Sequence, residues 1–399
     1  MRLLRRAVAV CALVLVAVGG CRAADFSGRG SAIGEVRLFP GEIPGSGQYD
    51  HGLSLALEPD LYWRFARGEL SFKPFVRLDS GDTEREHADI RELMWLHVGE
   101  KAEYRAGIGK VFWGVTESRH LVDVINQTDL VENIDAEDKL GQPMLWFSVP
   151  GDRDLLDLFV LPGFRERTFP GRDGRLRTHP LVDADQSVYE SSDGDDHVDY
   201  AIRWSRYAGP FEFGVSLFDG TARAPRFEPG LDERGEPVLV PYYDQVTEAG
   251  LTFQAVADAW LFKLEAVRRD FDDRQDHTAA VGGFEYTRYS VFDSRIDTGF
   301  LAEYLYDSRS KPAEDPFDDD VFLGLRVAFN DVRDSELLAG VIVDRDNGSR
   351  LFSLEASRRI ADHWRLTVEA RVFSSAPPED PLYDFRRDDY VEFTFGYYF

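Results

Sequence analysis

Ser118, His120 and Asp123 put a nucleophile, a base and an acid into one short stretch. A working triad needs the base within reach of the nucleophile and an orienting acid behind it, a demand that neighbours on one loop rarely meet. Neither a Gly-x-Ser-x-Gly elbow nor a His-Glu-x-x-His pair occurs elsewhere. The eight histidines are scattered without metal-ligand spacing, and the two cysteines, Cys11 and Cys21, both lie near the N-terminus. Acidic runs at 193–196, 318–320 and 344–348 do not follow the twelve-residue calcium loop with its bidentate terminal Glu. The sequence therefore predicts no enzyme, no resident metal and no cofactor. A different chemistry is written in Arg165, Arg167, Arg172, Arg175 and Arg177, which crowd one stretch of a chain with a net charge of -26. Planar guanidinium groups bind carboxylates and phosphates in bidentate fashion, so these five are candidate anion contacts.

Such side chains need a scaffold, and gross composition narrows the choice. A charge of -26 argues against a nucleic-acid partner. Mean hydropathy of -0.33 argues against a helical membrane protein. At the N-terminus, Arg2, Arg5 and Arg6 precede an apolar run over 7–18, and Ala23 supplies a small residue for cleavage before Ala24. This predicts a signal peptide over 1–23 and a single domain over 24–399. Val18-Gly19-Gly20-Cys21 also resembles a lipobox, which would place a lipid on Cys21.

Beyond that segment the periodicity is two, not 3.6. Val198, Tyr200, Ile202 and Trp204 alternate with Asp199, Ala201, Arg203 and Ser205. The same pattern runs through Phe211–Leu217, Val321–Phe329 and Trp364–Val372. One face of each run is unbroken and apolar, while the other carries full charges in mid-strand. Eighteen such runs can be traced from 34–39 to 390–399. Sixteen is the alternative count, because the first is weak and Pro59 interrupts the second. Their connections alternate between short turns and long segments such as 111–142, 162–197, 219–245 and 375–389. A soluble sandwich has no reason to keep that asymmetry, whereas a transmembrane barrel has short turns at one end and long loops at the other. The fold class predicted is all-β, an antiparallel up-and-down transmembrane β-barrel wide enough for an aqueous lumen.

Two resemblances agree. Val391, Phe393, Phe395, Tyr397 and Phe399 alternate to a final aromatic, which resembles the C-terminal signal of bacterial outer-membrane barrels. That resemblance implies an assembly signal at Phe395, Tyr397 and Phe399, read by the barrel assembly machinery of a Gram-negative cell. Gly109-Lys110-Val111-Phe112-Trp113-Gly114 and Asp123-Val124-Ile125-Asn126 resemble a family of uncharacterised porin-like barrels of proteobacteria. It covers about thirty residues and implies a barrel, not a substrate.

The segment 111–142 is too apolar to wave in solvent, since Leu121, Val122, Val124, Ile125, Leu130, Val131 and Ile134 need burial. In general porins the third loop folds inward, and this is the third long loop. Trp113, Glu117, Arg119, Asp123 and Asn126 are its candidate constriction residues; a loop packed on the rim is the alternative. Arg203, Glu212, Glu265, Glu303, Arg326, Arg365, Glu369 and Arg371 are candidate pore-lining charges, whose opposed signs would orient polar solutes. The predicted function is passive diffusion of small polar solutes across the outer membrane. Substrate-selective uptake and an adhesive or structural role are the alternatives. Outer-membrane lipid and lipopolysaccharide are the expected surroundings, the five clustered arginines being free to meet its phosphates if their loop stays outside. Homo-oligomerisation is left open.

Overall fold

In Val198–Ala208 the alternation becomes an inverted burial pattern: Tyr200 is 54% exposed while Asp199 is fully buried at 0%. Leu53 and Leu55 stand out in the same way beside buried Ser54 and Ala56. The apolar face of each strand looks outward and the charged face inward, the reverse of a soluble sandwich. An apolar exterior of this kind is stable against lipid, and lipid in turn requires every edge to be paired.

The structure is a computed structural model that describes residues 25–41, 47–309 and 316–399. The predicted signal peptide and Cys21 lie outside the described residues. In chain order the barrel strands are β1 (Asp25–Leu38), β2 (His51–Phe65), β3 (Gly68–Asp79), β4 (His87–Val98), β5 (Glu103–Gly109) and β6 (Gln142–Pro150). Next come β7 (Asp154–Pro162), β8 (Val198–Ala208), β9 (Phe211–Thr221), β10 (Gln245–Ala257), β11 (Trp260–Asp270) and β12 (His277–Arg288). The last six are β13 (Asp297–Asp307), β14 (Asp319–Ala328), β15 (Glu336–Asp344), β16 (Arg350–Ala361), β17 (Trp364–Ser374) and β18 (Tyr390–Tyr398). Each pairs antiparallel with the next, and β18 returns to β1 with Ser31 opposite Tyr398 and Leu38 opposite Val391. The result is a closed barrel of 18 strands.

Local chemistry explains the irregularities. Pro59 of β2 and Pro74 of β3 have no N–H to donate, and pairing between these strands skips from Leu57–Val76 to Leu61–Phe72. On the other side of Pro74 the register with β4 shifts between Lys73 and Pro74, leaving Arg91 as the extra residue. β1 begins at Asp25, nine residues before the predicted start at 34, because its glycine-rich first half pairs with β2 as far as Arg64.

The long connections share one end of the barrel, at 39–50, 110–141, 163–197, 222–244, 308–318 and 375–389. Those at 80–86, 271–276 and 345–349 are shorter. Two of the long ones build a sheet of their own, which the periodicity did not reveal. Arg226–Leu231 pairs with Pro237–Tyr243, and Leu181–Val182 and Val188–Tyr189 add to the latter in parallel.

Candidate functional site

The connection from β5 to β6 is pinched at its neck by Asn126. Its Oδ1 accepts from Val111 N at 2.8 Å, and its Nδ2 donates to the carbonyls of Gly109 and Leu140, each at 2.8 Å. The loop's apolar residues then pack against inward side chains of the wall. Val122 and Ile125 are completely buried, in one cluster with Phe159 and Leu161 of β7, Phe218 of β9, Val267 of β11 and Leu301 of β13. Trp113 packs its ring on Phe159 at 5.7 Å, with the Arg203 guanidinium 5.1 Å from its centroid. A buried apolar core thus forms inside the barrel, reaching from Met94 of β4 round to Phe322 of β14 and Ile342 of β15.

Polar contacts bolt the same arm to mid-strand carboxylates. Glu265 accepts from Val115 N at 2.6 Å, Thr116 N at 3.0 Å, Thr116 Oγ1 at 2.8 Å and Val122 N at 3.2 Å. Glu303 accepts from Glu117 N at 2.8 Å, and from Ser118 N and Oγ at 2.7 and 2.6 Å. Buried carboxylates are costly unless several donors satisfy them, and here loop backbone amides do so. Glu117 then reaches Arg326 of β14 at 2.7 Å and Lys263 of β11 at 3.4 Å. His120 sits between Glu137 at 2.9 Å and Glu265 at 3.7 Å. Burial works against its charge, but the two carboxylates win and push it up to about 10, so it is a cation at neutral pH. Ser118 and His120 are therefore each engaged with carboxylates of the wall or the loop.

The returning arm is held by charge. Arg77 bridges Glu132 at 2.6 Å and Glu35 at 3.0 Å, Arg85 reaches Glu35 at 2.6 Å, and Arg91 reaches Asp129 at 2.6 Å. Burial opposes the charge of Asp129, yet His87, Arg91 and Thr168 hold its carboxyl well below the usual range. His87, Asp129 and Glu132 lie close enough to suggest a metal cluster, but Arg77 and Arg91 already neutralise these acids. Farther along, Asn133 donates to Glu369 of β17, which also accepts from Tyr390. Asp135 meets Arg371 at 3.4 Å. Enclosure in the barrel and the nearby Glu369 push Asp135 up to about 7, with Arg371 pulling the other way.

These contacts leave one side open. The loop is tied to β11, β13 and β14, and again to β17, β1, β3 and β4; between Arg326 and Arg371 it faces β15 and β16 across a cavity. That cavity has a volume of about 1180 Å³ and runs from Leu382 and Phe385, in the 375–389 loop, past Leu338 and Ser353 to Glu336 and Arg365. Glu117, Arg119, His120 and Asp135 line it from the loop side. Above it the outer loops are tied together: Arg175 pairs with Asp388 at 2.6 Å and donates to the carbonyls of Tyr49, Gly41 and Arg387.

The predicted residues fall into groups. Arg326 and Arg371 line the cavity as ends of ion pairs with the loop; Arg365 lines it near the short turns, bonded to Asp334 at 2.6 Å. Glu265 and Glu303 lie beneath the loop, Arg203 beside Trp113, and Glu212 half-buried in β9. Asp123 is buried against Lys139 at 3.4 Å, and Asn126 forms the neck. Of the clustered arginines, Arg165 pairs with Asp89, Arg172 with Asp232 and Arg175 with Asp388, while Arg167 and Arg177 line the cavity. Sequence reasoning missed Glu35, Arg77, Arg91 and Glu132. The signal was there in Glu35-Val36-Arg37 and in Arg77, charges alternating with apolar residues on strands.

The chain matches no protein-family model and no curated protein. Among solved structures it is similar to OpdO of Pseudomonas aeruginosa, with a TM-score of 0.55 at 10% identity, over 94% of this chain and 98% of that one. It also aligns with a mutant porin of Rh. blastica (TM-score 0.45, 14% identity, 94% and 100% covered). A loop-deletion mutant of OmpT, an outer membrane protein of Vibrio cholerae, gives a TM-score of 0.48 at 10% identity, over 95% and 100%. What is shared at such identity is the outer-membrane porin fold.

Proposed function

We propose that the chain is an outer-membrane channel for passive diffusion of small polar solutes, with the 111–142 loop as its constriction. The observation that carries this reading is the cavity left between the loop and the β14–β17 wall. A barrel of eight strands fills itself with side chains, whereas one of eighteen leaves a lumen. Here the loop and its core occupy one side of that lumen, and a charged slot remains along the other. Solutes would pass between the Arg326–Glu117 and Arg371–Asp135 pairs, whose opposed charges orient dipoles. The apolar exterior and the aromatic last strand support a place in the outer membrane, among lipid and lipopolysaccharide, after assembly by the barrel machinery.

Purified protein in a planar lipid bilayer should give discrete current steps. A folded barrel, recognised by its heat-modifiable migration in a detergent gel, that gave no steps would sink the channel reading. A substrate-selective channel is the second reading, favoured by the knot of outer loops around Arg175. Its mark would be a current interrupted by one class of solute at concentrations that leave others without effect.

A further inference from the structure

Most inward cations are met by a carboxylate: Arg77 by Glu132, Arg91 by Asp129, Arg223 by Asp199, Arg269 by Glu248. Arg167 and Arg177 differ. Both line the cavity, and among the described residues neither has a carboxylate oxygen within 4.0 Å. Arg167 Nε donates to the neutral Gln127 Oε1 at 3.3 Å. Arg177 donates from Nη1 to Thr178 O at 3.2 Å, and its buried Nε has no hydrogen-bond partner within the protein. A guanidinium presents five donors, so both retain capacity for an oxyanion.

The walls beside them are apolar. Phe169, Leu176 and Phe227 line the outer part of the cavity, with Phe169 and Phe227 edge to face at 5.8 Å. Farther along come Phe317, Leu338 and Leu351, partly buried and packed on the core. A passage meant only for hydrophilic solutes gains nothing from such walls. A solute with an anionic head and an apolar body satisfies both features at once.

We propose that this cavity binds and selects amphipathic monoanions, carboxylates carrying a phenyl or short alkyl body. The head group is taken up by Arg167 and Arg177 while the body lies along the Phe169, Phe227 and Leu338 side. This rests on the channel reading and narrows it by naming the solute class. Two cationic stations let the head move from one to the other while the body stays in contact, so binding need not trap the solute.

The test uses the whole barrel, detergent-solubilised, with three probes: phenylacetate, acetate and 2-phenylethylammonium. By calorimetry, phenylacetate should bind roughly tenfold or more tightly than acetate, the difference a buried phenyl group provides. The matched cation should bind more weakly than phenylacetate by a similar factor. The double substitution Arg167→Gln, Arg177→Gln should remove most of the preference for phenylacetate over 2-phenylethylammonium. Should that variant fail to migrate as a folded barrel, Arg177→Gln alone should still weaken it several-fold. Equal affinity for phenylacetate and acetate, or for phenylacetate and the cation, would overturn the proposal. Binding is read without current, so a barrel that conducts nothing fails the channel reading alone. One that conducts but shows no preference fails this inference alone.

Discussion

Glu265 carries more of the loop than any other side chain. It accepts from Val115 N, Thr116 N, Thr116 Oγ1 and Val122 N, and Glu265, Thr116 and Val122 are all buried. Orphaning a buried donor costs about 1–3 kcal/mol, so Glu265→Ala should release the 114–122 arm while the strands stay paired. The expected outcome is a larger and noisier single-channel current, together with protease cleavage inside that arm; a current of parental size and quietness would contradict it. His120 adds a pH dependence of known sign. Its value in the fold, about 10, is raised above its ordinary 6.5 by Glu137 and Glu265. Its contribution is therefore complete below about pH 6.5 and is lost as pH rises through about 10. The temperature at which the gel band converts to its unfolded position should decline steadily as pH rises from about 6.5 to about 10 and level off above that. In His120→Gln that decline should be smaller.

At the scale of elements, the loop of 110–141 does two jobs at once, and its removal separates them. Deleting it should enlarge the conductance, because the cavity would extend across the lumen. It should also lower the temperature of the gel shift, since Phe159, Leu161, Phe218 and Val267 would face water instead of Val122 and Ile125. Higher conductance with unchanged thermal stability would deny the internal core. The strands themselves were legible, because period-two alternation of Tyr200, Ile202 and Trp204 against Asp199 and Arg203 leaves no other reading. The need of Leu121, Val122 and Ile125 for burial was legible too, but not where they would go. Nor did spacing distinguish a carboxylate facing the passage, such as Glu117, from one spent on loop amides, such as Glu265. Both read simply as charges, one on a loop and one on the inward face of a strand. What separates them is contact over roughly 150 residues of chain, which no local pattern encodes. The sheet formed by Arg226–Leu231, Pro237–Tyr243 and their parallel partners was missed for the same reason, its shortest strands being two residues long.

For the whole molecule, closure rests on a seam that joins the first and last strands of the barrel. β1 and β18 pair over Ser31–Leu38 and Val391–Tyr398, and Gly30 and Phe399 extend the ladder by exchanging both backbone bonds, at 2.9 and 3.1 Å. Gly30 leaves room for the last ring: a Cβ there would stand 3.0 Å from Phe399 Cζ and 3.0 Å from Glu58 O. The returning arm of the loop touches this seam at its far end from Phe399, where Arg37 donates to Glu132 O and Tyr390 to Asn133, and the cavity lies against the β14–β17 wall. Assembly and conduction are therefore separable. Removing Phe399 deletes one exchanged pair and one aromatic contact with Tyr397, which lowers the probability that the last strand finds the first. Once found, the seam still holds eight pairs. The truncated chain should yield a several-fold smaller heat-modifiable fraction in the outer membrane, while each barrel that does form gives the parental current step. Gly30→Val should reproduce this by crowding from the opposite strand. If either change altered the step size as strongly as the yield, the seam and the passage would be mechanically coupled, and the separation argued from their positions would fail.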